Sequence, residues 1–367
     1  MLYFLFAIIC FTSFCEIFDK RFGNFTHKSY FVFFLILFAL ATLRWERGTD
    51  WEAYYDYFSS IQKLDFSNNF EWGFVLLNYI VHVIFENYTA LLCIQALIFY
   101  LCISKIIKKY SVYPLFSLLC FFAVTKGGIF FIRQHIAMAI LMYAVKYIIS
   151  SENKKFILFL VLAFCVHRTA IFFLPVVFLW KVKVNFRYYI LGLAIIIVFS
   201  FMLETLLSSF FGNIGGLIGY KINNYINLTS SGEDYGVELS HQVILIRGII
   251  KRTVIIFLYF FYMCPVLDKN PLVRGFFNVY MYGVFLYILL APLSEQLARV
   301  CLYFDLFDIF LFAYLLYFQK NVKNKLIIFF FVTFVSLGRL YSGIEIRKEL
   351  YIPYKSIFNK ELPVEAY

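Results

Sequence analysis

Residues 88–104 read YTALLCIQALIFYLCIS, an apolar stretch without a charged side chain, and Lys105, Lys108 and Lys109 follow it closely. A stretch near the ~20 residues that cross the hydrocarbon of a bilayer, ending in lysines, is typical of a transmembrane helix with a cytoplasmic end. Comparable apolar runs recur along the chain at roughly 2–18, 30–43, 73–85, 88–104, 112–124, 129–149, 156–166, 169–180, 189–207, 249–267, 276–292, 300–318 and 326–338. The sequence therefore predicts an all-α, polytopic integral membrane helix bundle with about 12 transmembrane helices.

The composition supports this class of protein. Of 367 residues, 63% are hydrophobic and 15% charged, whereas soluble domains average roughly 45–50% apolar and about 25% charged residues. A water-soluble globule is excluded, and we expect membrane lipids around the chain. The net charge of +11 then reflects cytoplasmic loops, so no nucleic-acid partner is expected. We predict a single transmembrane domain over residues 1–367, including a retained first span.

Lysine and arginine are unevenly distributed among the breaks between runs, which predicts the orientation. Six breaks hold 16 of the 33 basic residues, namely Lys20/Arg21/Lys28, Lys105/Lys108/Lys109, Lys154/Lys155, Lys181/Lys183/Arg187, Lys269/Arg274 and Lys320/Lys323/Lys325. These breaks are assigned to the cytoplasm. The outer side then receives the main loops 44–71 and 208–247, together with 125–133, 167–168, 293–299 and the tail after Gly338.

Two runs do not fit this assignment as simple spans. Residue 71 is assigned to the outer side and Lys105 to the cytoplasm, so the chain must cross the membrane an odd number of times between them, but two runs lie there. The short run 73–85 is therefore predicted to be a re-entrant or interfacial helix. The stretch 156–180 has basic residues on both flanks, although it is long enough for one span. We interpret it as a hairpin of two short helices with His167 and Arg168 at its outer tip.

The first outer loop, residues 43–58, reads LRWERGTDWEAYYDYF and contains Arg44, Arg47 and Asp50 among aromatic residues. Arginine guanidinium groups suit phosphate oxygens, and Trp and Tyr rings stack on sugar faces. The same pattern also fits an aromatic belt at the membrane interface with solvated charges. Both interpretations stay open at the level of sequence.

A second candidate lies after Gly127, where Arg133, Gln134 and His135 are expected inside a helix, about one turn from its outer end. An arginine at such a depth costs about 2.5–3.5 kcal/mol on insertion scales, so a polar residue there marks a functional site by default. The alternative is that Arg133 forms a structural ion pair with Glu71 or Asp50.

His167 and Arg168 form a third candidate because apolar segments flank them on both sides. A histidine beside an arginine at the tip of a hairpin suits proton transfer or anion binding. The alternative is a histidine that only packs.

A fourth candidate follows the second large outer loop. Arg247, Lys251 and Arg252 fall in the outer half of a span, against the positive-inside tendency, and a bound polyanion would explain them. The alternative is that these cations extend to lipid phosphates. Glu295 and Arg299 lie four residues apart at the mouth of another span, where a simple helical ion pair would also account for them.

Several catalytic motifs are absent from the sequence, including the P-loop, H-E-x-x-H and G-x-S-x-G. A soluble-type ATPase, metalloprotease or serine hydrolase is therefore disfavoured. The inner loops are too short for a nucleotide-sugar domain. Any donor substrate should be a membrane lipid that already carries its leaving group.

Several segments together resemble one protein family, the EpsG-like branch of the Wzy repeat-unit polymerases of bacterial surface polysaccharides. They are LRWERGTDWEAYYDYF at 43–58, FEWGFVLLNYIV at 70–81, FFIRQHIAMAI at 130–140, VHRTAIFFLP at 166–175 and the closing YIPYKSIF at 351–358. Their order and spacing cover most of the chain. The loop between residues 208 and 242 has no family pattern.

The resemblance implies a glycosyltransferase at the outer face of the bacterial inner membrane. Such enzymes of O-antigen, capsule or exopolysaccharide biosynthesis move a growing glycan from undecaprenyl diphosphate to the non-reducing end of the next lipid-linked repeat unit. The family's motif residues fall on Arg44, Gly48, Asp50, Glu71, Arg133, Gln134 and His167.

Roles follow from this chemistry, because a departing diphosphate needs cations and an acceptor hydroxyl needs a base. The base is expected among His167, Asp50 and Glu71, with His167 ranked first. Diphosphate is assigned to Arg133 with Arg247, Lys251, Arg252 and Arg44. Substrate contacts are assigned to Arg47, Trp51, Tyr54, Gln134, Arg168, Glu295 and Arg299. No cofactor or metal is required, and a chain-length regulator is a candidate protein partner.

Two alternative functions remain compatible with the sequence. A lipid-linked oligosaccharide flippase would also have many spans and a cationic cavity, but its polar residues should line both halves of the bundle. An O-antigen ligase would use similar arginines and a histidine with a different acceptor.

Overall fold

The structure is a computed structural model that describes residues 1–19, 21, 23–67, 70–211, 241–292 and 295–360. Regular secondary structure in these ranges is helical. The α-helices are α1 Leu2–Phe18, α2 Gly23–Leu43, α3 Trp51–Ser59, α4 Trp72–Phe85, α5 Tyr88–Tyr110, α6 Pro114–Thr125, α7 Arg133–Ile149, α8 Asn153–Val166, α9 Val176–Leu179, α10 Phe186–Phe211, α11 His241–Tyr262, α12 Cys264–Lys269, α13 Pro271–Leu290, α14 Glu295–Ala298, α15 Leu302–Asp305, α16 Asp308–Tyr317 and α17 Val322–Glu345. Short 3₁₀-helices span Lys126–Gly128, Arg168–Phe173, Arg299–Cys301 and Lys348–Leu350.

The ends of these helices follow from local sequence. The Asn87 side chain accepts a hydrogen bond of 2.8 Å from the Thr89 N–H, which caps the start of α5. Lys108 and Lys109 lie in its last turn, where positive charge stabilises the helix dipole. The start of α13 combines an Asn270 cap with Pro271 in the first turn.

Five helical segments of the described residues are long and apolar enough to cross a membrane, namely Gly23–Leu43, Tyr88–Tyr110, Pro271–Leu290, Arg299–Tyr317 and Val322–Glu345. The chain is thus a helical membrane protein, as predicted. The expected number of about 12 spans stays a prediction. Helix α4 has 14 residues and is shorter than a span, in keeping with the interfacial or re-entrant helix expected at 73–85.

The predicted run 129–149 is wrong at its start, because helix α7 begins only at Arg133. Gly127 and Gly128 have φ angles of 71° and 75°, in the left-handed region that glycine tolerates, and the chain then turns before α7. An added Cβ on Gly128 would lie 2.3 Å from the Phe99 ring. Arg133 consequently occupies the first residue of the helix rather than a position one turn inside it.

The described residues form two compact units. The first comprises Met1–Leu174 and Phe312–Tyr367, and the second comprises Pro175–Leu311. The expectation of a single domain over residues 1–367 stays a prediction.

At one end of the first unit, segments predicted to be outer loops meet. The Trp45 N–H donates to the Lys355 carbonyl at 3.0 Å, and the Gly48 N–H donates to the Leu350 carbonyl at 3.0 Å. The C-terminal segment 347–359 is thereby attached to the first loop. Arg44 connects the same loop to residues 129–131.

At the other end of the unit, predicted cytoplasmic breaks meet. The Tyr314 hydroxyl donates to the Tyr110 carbonyl at 3.2 Å, and the Lys325 ammonium donates to the Tyr113 hydroxyl at 3.1 Å. The segments predicted to be outer loops and those predicted to be cytoplasmic thus meet at different ends of this unit.

Candidate active site

Glu71 lies at the centre of a charged cluster in the first unit. It precedes helix α4, and its side chain is buried. One carboxylate oxygen pairs with the Arg133 guanidinium. The other lies 3.3 Å from His167 Nδ1 and accepts a hydrogen bond of 3.2 Å from the Arg168 backbone N–H. A single carboxylate thus joins the starts of α4 and α7 to the tip after α8.

The cluster extends from Arg133 to the first outer loop. Arg133 Nε donates to the Tyr54 hydroxyl at 3.0 Å, and this hydroxyl donates to Asp50 Oδ2 at 2.9 Å. The guanidinium also lies against aromatic rings, with its carbon 4.6 Å from the Phe70 centroid. Arg133 is therefore fixed in position, and the predicted residues Asp50, Tyr54, Glu71, Arg133 and His167 form one connected network.

A close approach of two helices makes this network possible. A Cβ added to Gly73 in α4 would lie 2.8 Å from the Cys165 carbonyl oxygen and 2.9 Å from Cys165 Cβ. Only glycine fits this contact. Because α4 meets the end of α8 here, Glu71 is brought within reach of His167 and Arg168.

The electrostatic environment keeps the Glu71 carboxylate ionised. Burial raises its pKa, but the contacts with His167, Arg133 and the Arg168 N–H outweigh burial and lower the pKa to about 2. The pKa of the Tyr54 hydroxyl is raised, first by burial and then by the Asp50 charge. At neutral pH the cluster holds a carboxylate and a neutral phenol.

A pocket of about 180 Å³ opens beside Glu71 and is lined by Glu71, Trp72, Phe164, Cys165 and Arg168. The Arg168 side chain is exposed there. Sequence reasoning missed Trp72, which is 70% exposed. Its position directly after Glu71 in the FEWG segment was the available signal.

Arg44 and Arg47 were expected to bind diphosphate and substrate, but the structure places both on backbone carbonyls. Arg44 is buried and donates to the carbonyls of Ile129 at 2.8 Å and Phe131 at 2.9 Å. Arg47 Nε donates to the Pro353 carbonyl at 2.6 Å. Burial lowers the pKa of the Arg44 guanidinium. We therefore correct both assignments to structural roles that hold the loop, the turn at 129–131 and the C-terminal segment together.

Trp51, expected to contact an acceptor sugar, is buried instead of exposed. Its ring stacks on Tyr55 with centroids 4.9 Å apart and meets Tyr88 edge-on. Trp51 therefore packs within the protein, which corrects its assignment as a stacking platform. Gln134 is likewise buried, in the first turn of α7.

The second unit contains Arg252, another residue expected to bind diphosphate. Arg252 Nε donates to Asp305 Oδ1 at 2.8 Å, a second hydrogen bond joins the same two groups, and the guanidinium carbon lies 3.7 Å from the Tyr287 centroid. Asp305 thus neutralises Arg252 within the unit. Sequence reasoning missed Asp305, for which no local signal exists.

The remaining expected residues of this unit are less fully described. Lys251 is exposed on α11, and Arg299 is half-buried in its 3₁₀-helix. The side chains of Arg247 and Glu295, and most of the loop 208–247, lie outside the described residues. The assignments of Lys251, Arg299, Arg247 and Glu295 stay predictions.

Comparison with curated proteins and with solved structures found no match. The profile of the EpsG family, in contrast, matches residues 27–356, which include the whole Glu71 cluster. This family is one of glycosyltransferase-like polysaccharide polymerases. The resemblance predicted from the sequence is confirmed, and the chain belongs to the EpsG family.

Proposed function

We propose that the chain polymerises undecaprenyl-diphosphate-linked oligosaccharide repeat units at the outer face of a bacterial inner membrane. The growing glycan would pass from its lipid diphosphate to the non-reducing end of the next unit. One observation carries this proposal: the single Glu71 carboxylate contacts Arg133, His167 and the Arg168 backbone N–H beside a pocket. The residues proposed for acid–base chemistry and for anion binding thus lie in one cluster.

His167 is the proposed general base. Its Nδ1 lies 3.3 Å from a Glu71 carboxylate oxygen, and this negative charge would stabilise the imidazolium that forms when His167 accepts a proton. Glu71 itself is a weak base, since its pKa is about 2. Glu71 is therefore proposed to orient the imidazole, and the earlier ranking of His167 over Glu71 and Asp50 is retained.

Arg168 is proposed to stabilise the diphosphate, whereas Arg133, which pairs with Glu71, is proposed to hold this carboxylate beside His167 and Arg168. The acceptor hydroxyl oxygen forms a bond to the anomeric carbon of the donor glycan and gives its proton to His167. The bond between that carbon and the diphosphate oxygen breaks, and its electron pair leaves with the diphosphate. Cations that are already in place stabilise the charge as it develops.

The test is incubation of the purified protein with its lipid-linked repeat unit, followed by separation of the products by length. A ladder is expected from the wild type. His167→Ala should lower the rate by about 10²–10⁴-fold, the usual contribution of a general base. Arg133→Ala should also lower the rate strongly, because Glu71 would lose its ion-pair partner.

His27→Ala is the matched control, because His27 is exposed near the start of α2. It should leave the ladder unchanged. Absence of a ladder from folded wild-type protein would contradict polymerisation and favour a flippase. Unchanged ladders from both His167→Ala and Arg133→Ala would contradict the proposed site.

A further inference from the structure

A second histidine lies beside the Glu71 cluster, and the proposed reaction gives it no role. His135 is half-buried near the start of α7, two positions after Arg133. Ionisable groups of the first loop, of the turn before α7 and of the tip after α8 act electrostatically on its imidazole, namely Arg44, Asp50, Lys126 and His167. His135 therefore lies among the segments that bring the cluster together.

One ring nitrogen of His135 is already occupied. Its Nδ1 accepts a hydrogen bond of 3.4 Å from the Ile132 backbone N–H, as the third residue of a capping box does at the start of a helix. A nitrogen that accepts this bond carries no proton, so the neutral imidazole has its proton on Nε2. Within the described residues Nε2 has no hydrogen-bond partner. His135 is therefore a donor through Nε2.

The surroundings of His135 favour the neutral imidazole. Lys126 and Arg44 both place positive charge near it, whereas Asp50 acts in the opposite direction. No carboxylate that the structure describes forms an ion pair with Lys126. Protonation would add a charge beside two cations and would break the hydrogen bond of Nδ1. His167, in contrast, lies against a carboxylate, so the two histidines suit different tasks.

Asp50 offers an acceptor on the same side of the cluster. It lies directly before α3, a position from which an aspartate usually caps the helix, but its side chain makes no capping hydrogen bond. Its Oδ2 accepts from the Tyr54 hydroxyl instead. No other hydrogen bond reaches this carboxylate from the described residues. A carboxylate oxygen and a neutral N–H are thus both available to a ligand.

We propose that His135 Nε2–H and the Asp50 carboxylate bind two adjacent hydroxyls of the acceptor sugar and so position the acceptor for His167. A sugar diol matches this pair, because one hydroxyl oxygen accepts from Nε2 while the other hydroxyl donates to the carboxylate. A diphosphate is a poor occupant, since the Asp50 charge repels it. This inference rests on the proposed function for the identity of the ligand.

The test measures binding without turnover. The repeat-unit oligosaccharide, released from its lipid, is titrated onto the purified protein and followed by saturation-transfer NMR. His135→Gln and His135→Glu form a matched pair, because both side chains accept the N–H of a capping box but only the amide donates. His135→Glu should weaken binding about tenfold, and His135→Gln by less than about threefold. The unfolding midpoints of the two variants should agree.

Two further variants complete the test. Asp50→Asn should also weaken binding about tenfold, because hydrogen bonds to a charged group are the stronger ones. Its fold should persist, since Asp50 does not cap α3. His27→Glu, on an exposed histidine, is the control and should bind as wild type does. In the polymerisation assay, the acid limb of the pH–rate profile should be the same for His135→Gln and wild type, because His135 stays neutral.

Three outcomes would overturn the inference. They are equal binding by His135→Gln and His135→Glu, a shifted acid limb in His135→Gln, and no binding of the oligosaccharide to wild type. A ladder together with equal binding by the two variants would refute only this inference. The expected binding pattern without a ladder would refute only polymerisation.

Discussion

At the scale of single residues, Glu71 has the most constrained role in the cluster. One of its carboxylate oxygens pairs with Arg133, and the other contacts His167 and accepts a hydrogen bond from the Arg168 N–H. A carboxylate in this position sets the orientation of an imidazole and fixes an arginine, and its low pKa makes it unsuited to accept protons at neutral pH. Glu71 is thus better interpreted as a positioning residue than as the base.

The depressed pKa of Glu71 predicts a specific dependence of stability on pH. Its folded-state pKa of about 2 lies below the unfolded value of about 4.3, so ionised Glu71 stabilises the protein above pH ~4.3, and this contribution is lost as pH falls towards 2. From pH 5 to 8, the free energy of unfolding of the wild type should be roughly 3 kcal/mol higher than that of Glu71→Gln. Thermal unfolding in detergent, followed as a function of pH, measures this difference.

The difference in the free energy of unfolding between wild type and Glu71→Gln should become smaller below about pH 4, because Glu71 is then protonated in the unfolded state. Glu52→Gln is the control, since Glu52 is an exposed carboxylate of the same loop, and its unfolding midpoint should match wild type throughout. A stability difference between wild type and Glu71→Gln that stays constant down to pH 3 would contradict the assigned ion pairs. The absence of a stability difference at neutral pH would contradict them as well.

At the scale of elements, the contact between α4 and α8 decides whether the site forms. Helix propensity alone favours alanine over glycine by about 1 kcal/mol inside a helix. Gly73 nevertheless has no room for a Cβ, because the opposing atoms include the Cys165 backbone. Packing therefore overrides local preference at this position.

Gly73→Ala is accordingly expected to separate α4 from α8 and weaken the Glu71 contacts with His167 and Arg168. The rate of polymerisation should fall about tenfold or more, as misplaced catalytic groups typically cause, and the unfolding midpoint should fall. Gly338→Ala provides the control, because Gly338 lies within α17 with open space around it. It should be neutral or slightly stabilising. Equal behaviour of the two variants would show that the contact does not matter.

At the scale of the whole molecule, the two ends of the first unit predict sidedness. The C-terminal segment is hydrogen-bonded to the first outer loop, and the Tyr110 and Tyr113 region contacts the predicted cytoplasmic segments of α16 and α17. Lys109→Cys and Lys360→Cys should therefore react with impermeant thiol reagents from opposite sides of the membrane. Peptide-resolved labelling of intact and inverted vesicles measures this. Labelling of both from the same side would refute the orientation.

The sequence by itself determined the class of protein and most of the cluster. Apolar runs near span length and their basic flanks are local properties, and they predicted helices and loop sidedness without reference to packing. The segments that resemble the family identified Glu71, Arg133 and His167. The alternative that Arg133 pairs with Glu71, left open at the level of sequence, describes the geometry found.

Only the tertiary structure decided which charges are neutralised inside the protein. Arg44 and Arg252 were expected to bind diphosphate. In the structure, Arg44 donates hydrogen bonds to the carbonyls of Ile129 and Phe131, and Arg252 donates to the Asp305 carboxylate. The physical reason is that a buried guanidinium must find acceptors. The Ile129 carbonyl that Arg44 contacts and the Asp305 carboxylate that Arg252 contacts lie 85 and 53 positions away along the chain. Helical periodicity and loop charge do not encode such distant partners, so packing decides which arginines remain for a substrate.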